Sequence, residues 1–190
     1  MKKVILSAIM LITAVIGINA QETNNDNNMD QKLNLTQEWD KSFPLSDKVD
    51  HKKVIFHNHF GLTLAADMYT PKNAKGKLSA IAVCGPFGAV KEQASGLYAQ
   101  TMAECGFLTI AFDPSFTGES SGEPRDVFSL DINTEDFQAA VDFLSNLDNV
   151  DPDRIGIIGS VAGEVSHLML LPTIRVSRRR WQVQCTICHV

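Results

Sequence analysis

The 190-residue sequence has little of what would assign it quickly to a class. It has no basic face: 17 Lys and Arg stand against 22 Asp and Glu, for a net charge of −5, which excludes nucleic acid as a natural partner. It has few cysteines, four in all, and none directly follows the N-terminal apolar run, which disfavours a lipid-anchored protein. It has no Cys or carboxylate cluster at metal-ligand spacing, so no metal is expected. It also lacks a phosphate-binding glycine loop. Gly85-Pro86-Phe87-Gly88 is too short and places Pro where an N–H donor is needed, which argues against a Rossmann-like nucleotide domain. No cofactor is expected.

What is present is globular: 44% hydrophobic and 21% charged residues, in a length suited to one or at most two domains. Lys2 and Lys3 precede an apolar run from Val4 to Ile18, followed by Asn19-Ala20 and then polar residues. A charged start, a short apolar centre and a small-residue exit describe a secretory signal peptide over residues 1–20. The run falls short of the ~20 apolar residues of a membrane span, so no stable span is expected after cleavage and the protein is expected to be exported. Residues 21–45 read as a polar linker. Residues 21–159 hold 9 Lys and 2 Arg against 21 acidic residues, whereas residues 160–190 hold 4 Arg, no Lys and one acid. The basic residue type changes abruptly near position 160.

Over residues 46–159 the pattern alternates. Lys53–Phe56 and Leu62–Tyr69 predict a hairpin. Ser79–Cys84, Phe107–Phe112 and Arg154–Gly159 are continuous apolar runs suited to strands buried on both faces. Between them lie two helical periods. One carries Ala94, Leu97, Tyr98, Thr101, Met102 and Cys105 as its expected buried stripe. The other is expected to be capped by Asn133 and to bury Phe137, Ala140, Val141, Leu144 and Leu147. Asp151-Pro152 reads as a turn. Strands alternating with helices predict an α/β fold whose sheet is mostly parallel, with an N-terminal antiparallel hairpin.

In such sheets ligands bind beyond the carboxyl ends of the strands. Four stretches there and in the hairpin, taken in order, resemble the α/β-hydrolase family, in particular its secreted esterase, dienelactone-hydrolase-like and prolyl-oligopeptidase-like members. They are Phe60–Tyr69, Gly85–Gly88, Asp113 through Gly118-Glu119-Ser120, and Val150–Gly159. The resemblance implies a fold truncated after its fifth strand and a small-molecule ester or acyl substrate. It implies a backbone oxyanion-hole donor at Phe87, and a nucleophile at the turn after Gly159. Gly118-Glu119-Ser120-Ser121-Gly122 matches Gly-x-Ser-x-Gly, but Asp113 has already ended the strand and Glu123-Pro124 follows, so Ser120 is not expected to be the nucleophile. At the expected elbow the sequence is Gly159-Ser160-Val161-Ala162-Gly163, and Val161, at the nucleophile position, has no reactive atom.

Genetic-code arithmetic offers a cause. If one nucleotide was lost in codon 160, the tail re-reads as Gly-Ile-Cys-Gly-Trp-Gly-Gly, then a small-residue helix, an Asp-Thr-Arg turn and a Val-Lys-Ala-Ala-Val-Ala strand, without a stop. That puts a cysteine at the position of Val161 and turns Arg178-Arg179-Arg180 into displaced codons of other residues. Residues 160–190 are therefore expected to be an out-of-frame tail. Cys185-Thr186-Ile187-Cys188-His189 matches a haem-attachment motif, but only Val190 follows, leaving no room for a cytochrome domain. Cys84 and Cys105 are expected as packed core thiols rather than a disulfide. His57 and His59 are expected as hairpin surface residues rather than metal ligands. Two functions follow: a fragment of an exported Ser- or Cys-type hydrolase, inactive as written, or a short secreted binding module whose basic tail docks an acidic partner.

Overall fold

A computed structural model describes residues 33, 35–36 and 38–159. The expected leader at 1–20, most of the linker, Val161 and the whole tail at 160–190 lie outside the described residues. Among those described, no helix is long and apolar enough to cross a membrane.

Five strands and two helices alternate: β1 (Val49–His57), β2 (Thr63–Pro71), β3 (Leu78–Cys84), α1 (Ala94–Glu104), β4 (Leu108–Phe112), α2 (Leu130–Ser145) and β5 (Val150–Gly159). They form one mixed sheet in the order β1-β2-β4-β3-β5. The β1/β2 hairpin is antiparallel, β2 joins β4 antiparallel, and β3 pairs in parallel with both β4 and β5. The α/β class and the initial hairpin are as the sequence pattern indicates.

The side-chain period of two divides each central strand between two cores. Leu108, Ile110 and Phe112 of β4, with Ala80 and Ala82 of β3, face α2 and pack on Phe137, Ala140, Val141 and Leu144. Tyr69, Val83 and Ala111 face α1 and meet Ala99, Ala103 and Phe43. Phe43 belongs to a strap, residues 38–46, expected as linker up to residue 45 but folded onto α1. Trp39 Nε1 donates to the Phe43 carbonyl at 2.8 Å, and Gln100 Nε2 donates to the Pro44 carbonyl at 3.0 Å.

Three local expectations are corrected. Helix α1 buries Ser95, Gly96, Ala99, Gln100 and Ala103, while Leu97 and Tyr98 remain 47% and 46% exposed. Close approach outweighs the apolar stripe. A Cβ on Gly96 would lie 2.3 Å from the Lys91 carbonyl and 3.0 Å from the Phe43 ring, so only glycine fits at that position. Cys105 is accordingly exposed at the helix end, whereas Cys84 is buried, and both thiols are free. Helix α2 starts at Leu130 after Ser129 rather than at Asn133. Asn133 sits one turn inside, its Oδ1 accepting the Ser129 N–H at 3.2 Å and its Nδ2 reaching Asp136. Asp151-Pro152 is a bulge within β5, not a turn before it. Leu78 pairs with Val150 and Ala80 with Ile155, so extra residues of β5 loop out between these pairs.

Candidate functional site

Because β4, β3 and β5 are parallel neighbours, their carboxyl ends meet at one edge. Cys84, the last residue of β3, pairs with Phe112 on one side and Gly159 on the other. The Gly85–Gly88 loop therefore leaves the sheet between the turn that begins at Asp113 and the exit of β5. Phe87 lies on this loop and is 52% exposed. Among the described residues its N–H has no acceptor. Gly88, at φ +79°, turns the chain back, and the Ala89 N–H closes the turn onto the Pro86 carbonyl at 3.0 Å.

A buried ion pair joins this loop to β4. The Lys91 N–H donates to Asp113 Oδ1 at 2.7 Å and Lys91 Nζ donates to Oδ2 at 2.8 Å. Both side chains are fully buried. Nζ also reaches Glu119 Oε2 at 2.8 Å, and Lys53 Nζ meets the same oxygen at 2.7 Å. Burial alone would lower the Lys91 pKa, but the Asp113, Glu119 and Glu92 carboxylates outweigh it and hold it above the ordinary lysine value. Burial pushes Glu119 upward, yet Lys53, Lys91 and the Thr36 N–H hold it at about 2. Sequence reading missed this network, and its signal was slight: a lysine seven residues past a buried strand, following Ala89 and Val90.

The false elbow now has a structural explanation. Gly118 has φ +53°, and a Cβ there would lie 2.2 Å from Asp113 Oδ2. Gly122 has φ +120°, and its Cβ would lie 2.4 Å from the Phe116 ring. The two glycines make room for a carboxylate and a ring. Ser120 is buried, its Oγ donating to the Asp113 carbonyl at 2.7 Å and accepting the Ala65 N–H at 2.9 Å. Its hydroxyl is committed to the main chain. The Arg125 guanidinium closes the turn on the Ser120 and Gly118 carbonyls, both at 2.6 Å.

Below the same loop, buried Asp136 accepts from the Ser115 N–H and Asn58 Nδ2 at 2.8 Å each, and from Ser115 Oγ at 2.7 Å. Burial raises the Asp136 pKa against these donors. Burial likewise raises that of the Cys84 thiol, with Asp113 and Asp136 adding to it, so Cys84 is kept protonated and unreactive. His57 and His59 do not converge: His57 Nδ1 meets Thr63 Oγ1 at 3.2 Å, and His59 pairs with Glu135. Among the described residues, Asp40, Glu92 and Glu119 are the carboxylates near enough to share a metal ion, and the ammonium groups of Lys53 and Lys91 already bridge them.

Residues 61–174 match the X-Pro dipeptidyl-peptidase (S15) family, a stretch that includes all three carboxyl-edge segments and position 161. The chain belongs to that family. One family relative, the uncharacterized protein PA2218 of Pseudomonas aeruginosa, is 64% identical over 141 residues, which is 74% of this chain and 38% of that protein. Its crystal structure superposes with a TM-score of 0.67 at 68% identity, covering 68% of this chain and 41% of that chain. The uncharacterized protein YcjY of Escherichia coli is 44% identical over 117 residues, 60% of this chain and 38% of that protein. The α/β hydrolase GrgF from Penicillium sp. sh18 shares the fold at 24% identity and a TM-score of 0.59, covering 63% of this chain and 40% of its own. The chain thus spans about two fifths of the length of these relatives, and its fold is that of an α/β hydrolase as far as the fifth strand.

Proposed function

We propose that this chain is the first part of an exported acyl hydrolase of the serine or cysteine type, and that as printed it is inactive. The observation that carries the reading is the pairing of Cys84 with Gly159. The loop that bears Phe87 and the chain leaving Gly159 start side by side at one sheet edge. A nucleophile there attacks the substrate carbonyl carbon, and the oxygen takes up negative charge facing the Phe87 N–H. The leaving group departs with a proton from a histidine, and water then releases the acyl group from the nucleophile. The acid and histidine of such a triad follow the nucleophile in chain order, beyond Gly159.

Val161 occupies the nucleophile position and offers no hydroxyl or thiol. Three features support a lost nucleotide at codon 160. The apolar strand pattern stops there, arginine replaces lysine there, and the alternative frame restores a cysteine elbow followed by helix, turn and strand. The N-terminal leader supports export.

A chimera tests the reading. Residues 36–159 of this chain are joined to the portion of PA2218 that follows its own fifth strand, and hydrolysis of p-nitrophenyl acetate is measured. The chimera is expected to turn over and the 190-residue chain is not. Turnover by the printed chain, or none by a folded chimera, contradicts the proposal.

A further inference from the structure

The first turn of α1 carries a polar group that nothing in the fold uses. Ser95, the second residue of the helix, is 4% exposed, and its Oγ has no hydrogen-bond partner among the described residues. Leaving a buried hydroxyl unpaired costs roughly 5- to 150-fold in the folding equilibrium, which points to a second state of the molecule that uses it. The hydroxyl lies beside the loop that bears Phe87. Cα–Cβ bonds of a helix tilt toward its N-terminus, and a Cβ built on Gly85 would lie 3.4 Å from Ser95 Oγ and 3.6 Å from Ser95 Cβ. Ser95 therefore stands against the main chain of the first residue of that loop, without a bond to it.

We infer that Ser95 is a positioning residue for the Gly85–Gly88 loop: as a substrate oxygen gains charge against the Phe87 N–H and draws the loop inward, the Ser95 hydroxyl donates to the Gly85 carbonyl and holds it there. This inference rests on the acyl-hydrolase reading. The loop has the means to move. Among the described residues the Gly85 carbonyl accepts only the Cys84 S–H, at 3.6 Å, and a thiol is a weak donor. The Pro86 carbonyl is already taken by the Ala89 N–H at 3.0 Å, which leaves the Gly85 carbonyl as the acceptor at the residue Ser95 faces. Gly85 has no side chain to fill the gap. At the far end of the loop, nothing lies within 4 Å of where a Cβ of Gly88 would stand, so that end has open space.

A hydrogen bond absent from the free protein and present around the developing oxyanion stabilises the transition state more than the ground state. It is read in kcat rather than in KM. An ordinary hydrogen bond sets its size at about 2- to 13-fold in rate. Hydrogen bonds of catalytic machinery are often long or misaligned before substrate arrives and tighten in the complex, and an unpaired Ser95 beside an unloaded loop has that form. A serine with a structural role alone is bonded in the free protein.

Two measurements test the inference. In the 190-residue chain, Ser95→Ala removes a partnerless hydroxyl and is expected to raise the thermal unfolding midpoint by about 2–4 °C. A midpoint that stays or falls shows a hydroxyl already bonded and overturns the inference. In the chimera, Ser95→Ala is expected to lower kcat for p-nitrophenyl acetate by about 2- to 13-fold at unchanged KM. Gly85→Ala sets a methyl group 3.4 Å from Ser95 Oγ, an ordinary contact, and blocks the approach. It is expected to lower kcat to a similar extent, with no further loss when the two substitutions are combined. An unchanged kcat, a loss confined to KM, or additive losses overturn the inference and leave the hydrolase reading standing. A folded chimera without turnover removes the hydrolase reading, and the inference with it.

Discussion

Replacing Lys91 by Met is the sharpest perturbation of the carboxyl edge. The substitution keeps most of the side-chain volume and removes the ammonium from a fully buried position. Glu119 retains Lys53 at 2.7 Å, and Asp113 retains two main-chain donors, the N–H groups of residue 91 and Glu119. What remains is a buried carboxylate without a counter-ion. Breaking such a pair on one side costs about 3–5 kcal/mol, and the surviving N–H donors place this case near 3. With a urea dependence of about 2 kcal/mol per molar, the unfolding midpoint of the chimera is expected to fall by about 1.5 M. Lys91→Met with Asp113→Asn removes the stranded charge and is expected to recover part of that loss, which makes the two substitutions non-additive. A single-variant cost below about 1 kcal/mol, as for a solvent-exposed pair, or strict additivity in the double variant, would refute the reasoning.

Other outcomes follow from the same structure. Ser120→Ala in the chimera is expected to leave p-nitrophenyl acetate hydrolysis intact while lowering stability by about 1–3 kcal/mol, because the Ala65 N–H loses its acceptor; loss of turnover without loss of stability would reinstate Ser120 as nucleophile. Glu119 has its folded pKa held at about 2 against an ordinary 4.5, so its contribution is present above pH 4.5 and lost as the pH falls towards 2. Acid unfolding of the chimera should therefore be less steep across that window in Glu119→Gln, and an unchanged profile would contradict the assignment. Among the described residues β5 is an edge strand with unpaired main-chain groups, so the printed chain expressed alone is expected to elute from gel filtration ahead of a monomer; a sharp monomer peak would favour the binding-module reading instead.

The sheet was legible where physical demands coincide. Strands β3 and β4 are buried on both faces, so nearly every residue in them is apolar, and the runs mark their bounds to within a residue or two. Strand β1 was read short at its start because His51 looks like a surface residue. It is a partner for an acid on the neighbouring strand, Asp67 at 2.7 Å. The face of α1 was misread for a related reason. Periodicity ranks Leu97 and Tyr98 above Gly96 and Ala99, yet the Lys91 carbonyl and the Phe43 ring come so close at position 96 that only glycine fits there. At the site, the carboxyl edge and the Phe87 loop could be placed from the order of elements. The Lys91–Asp113 pair could not, since it joins residues 22 apart whose loops meet only after the sheet forms.

The proposal that the reading frame shifts at codon 160 is decided by the nucleotide sequence that follows codon 159. Read in the alternative frame, that DNA is expected to place a cysteine codon where Val161 now stands. It should then stay open for roughly a hundred codons or more, supplying a late Asp and His. A stop codon soon after position 160 in both alternative frames would contradict the account and make the arginine-bearing tail authentic.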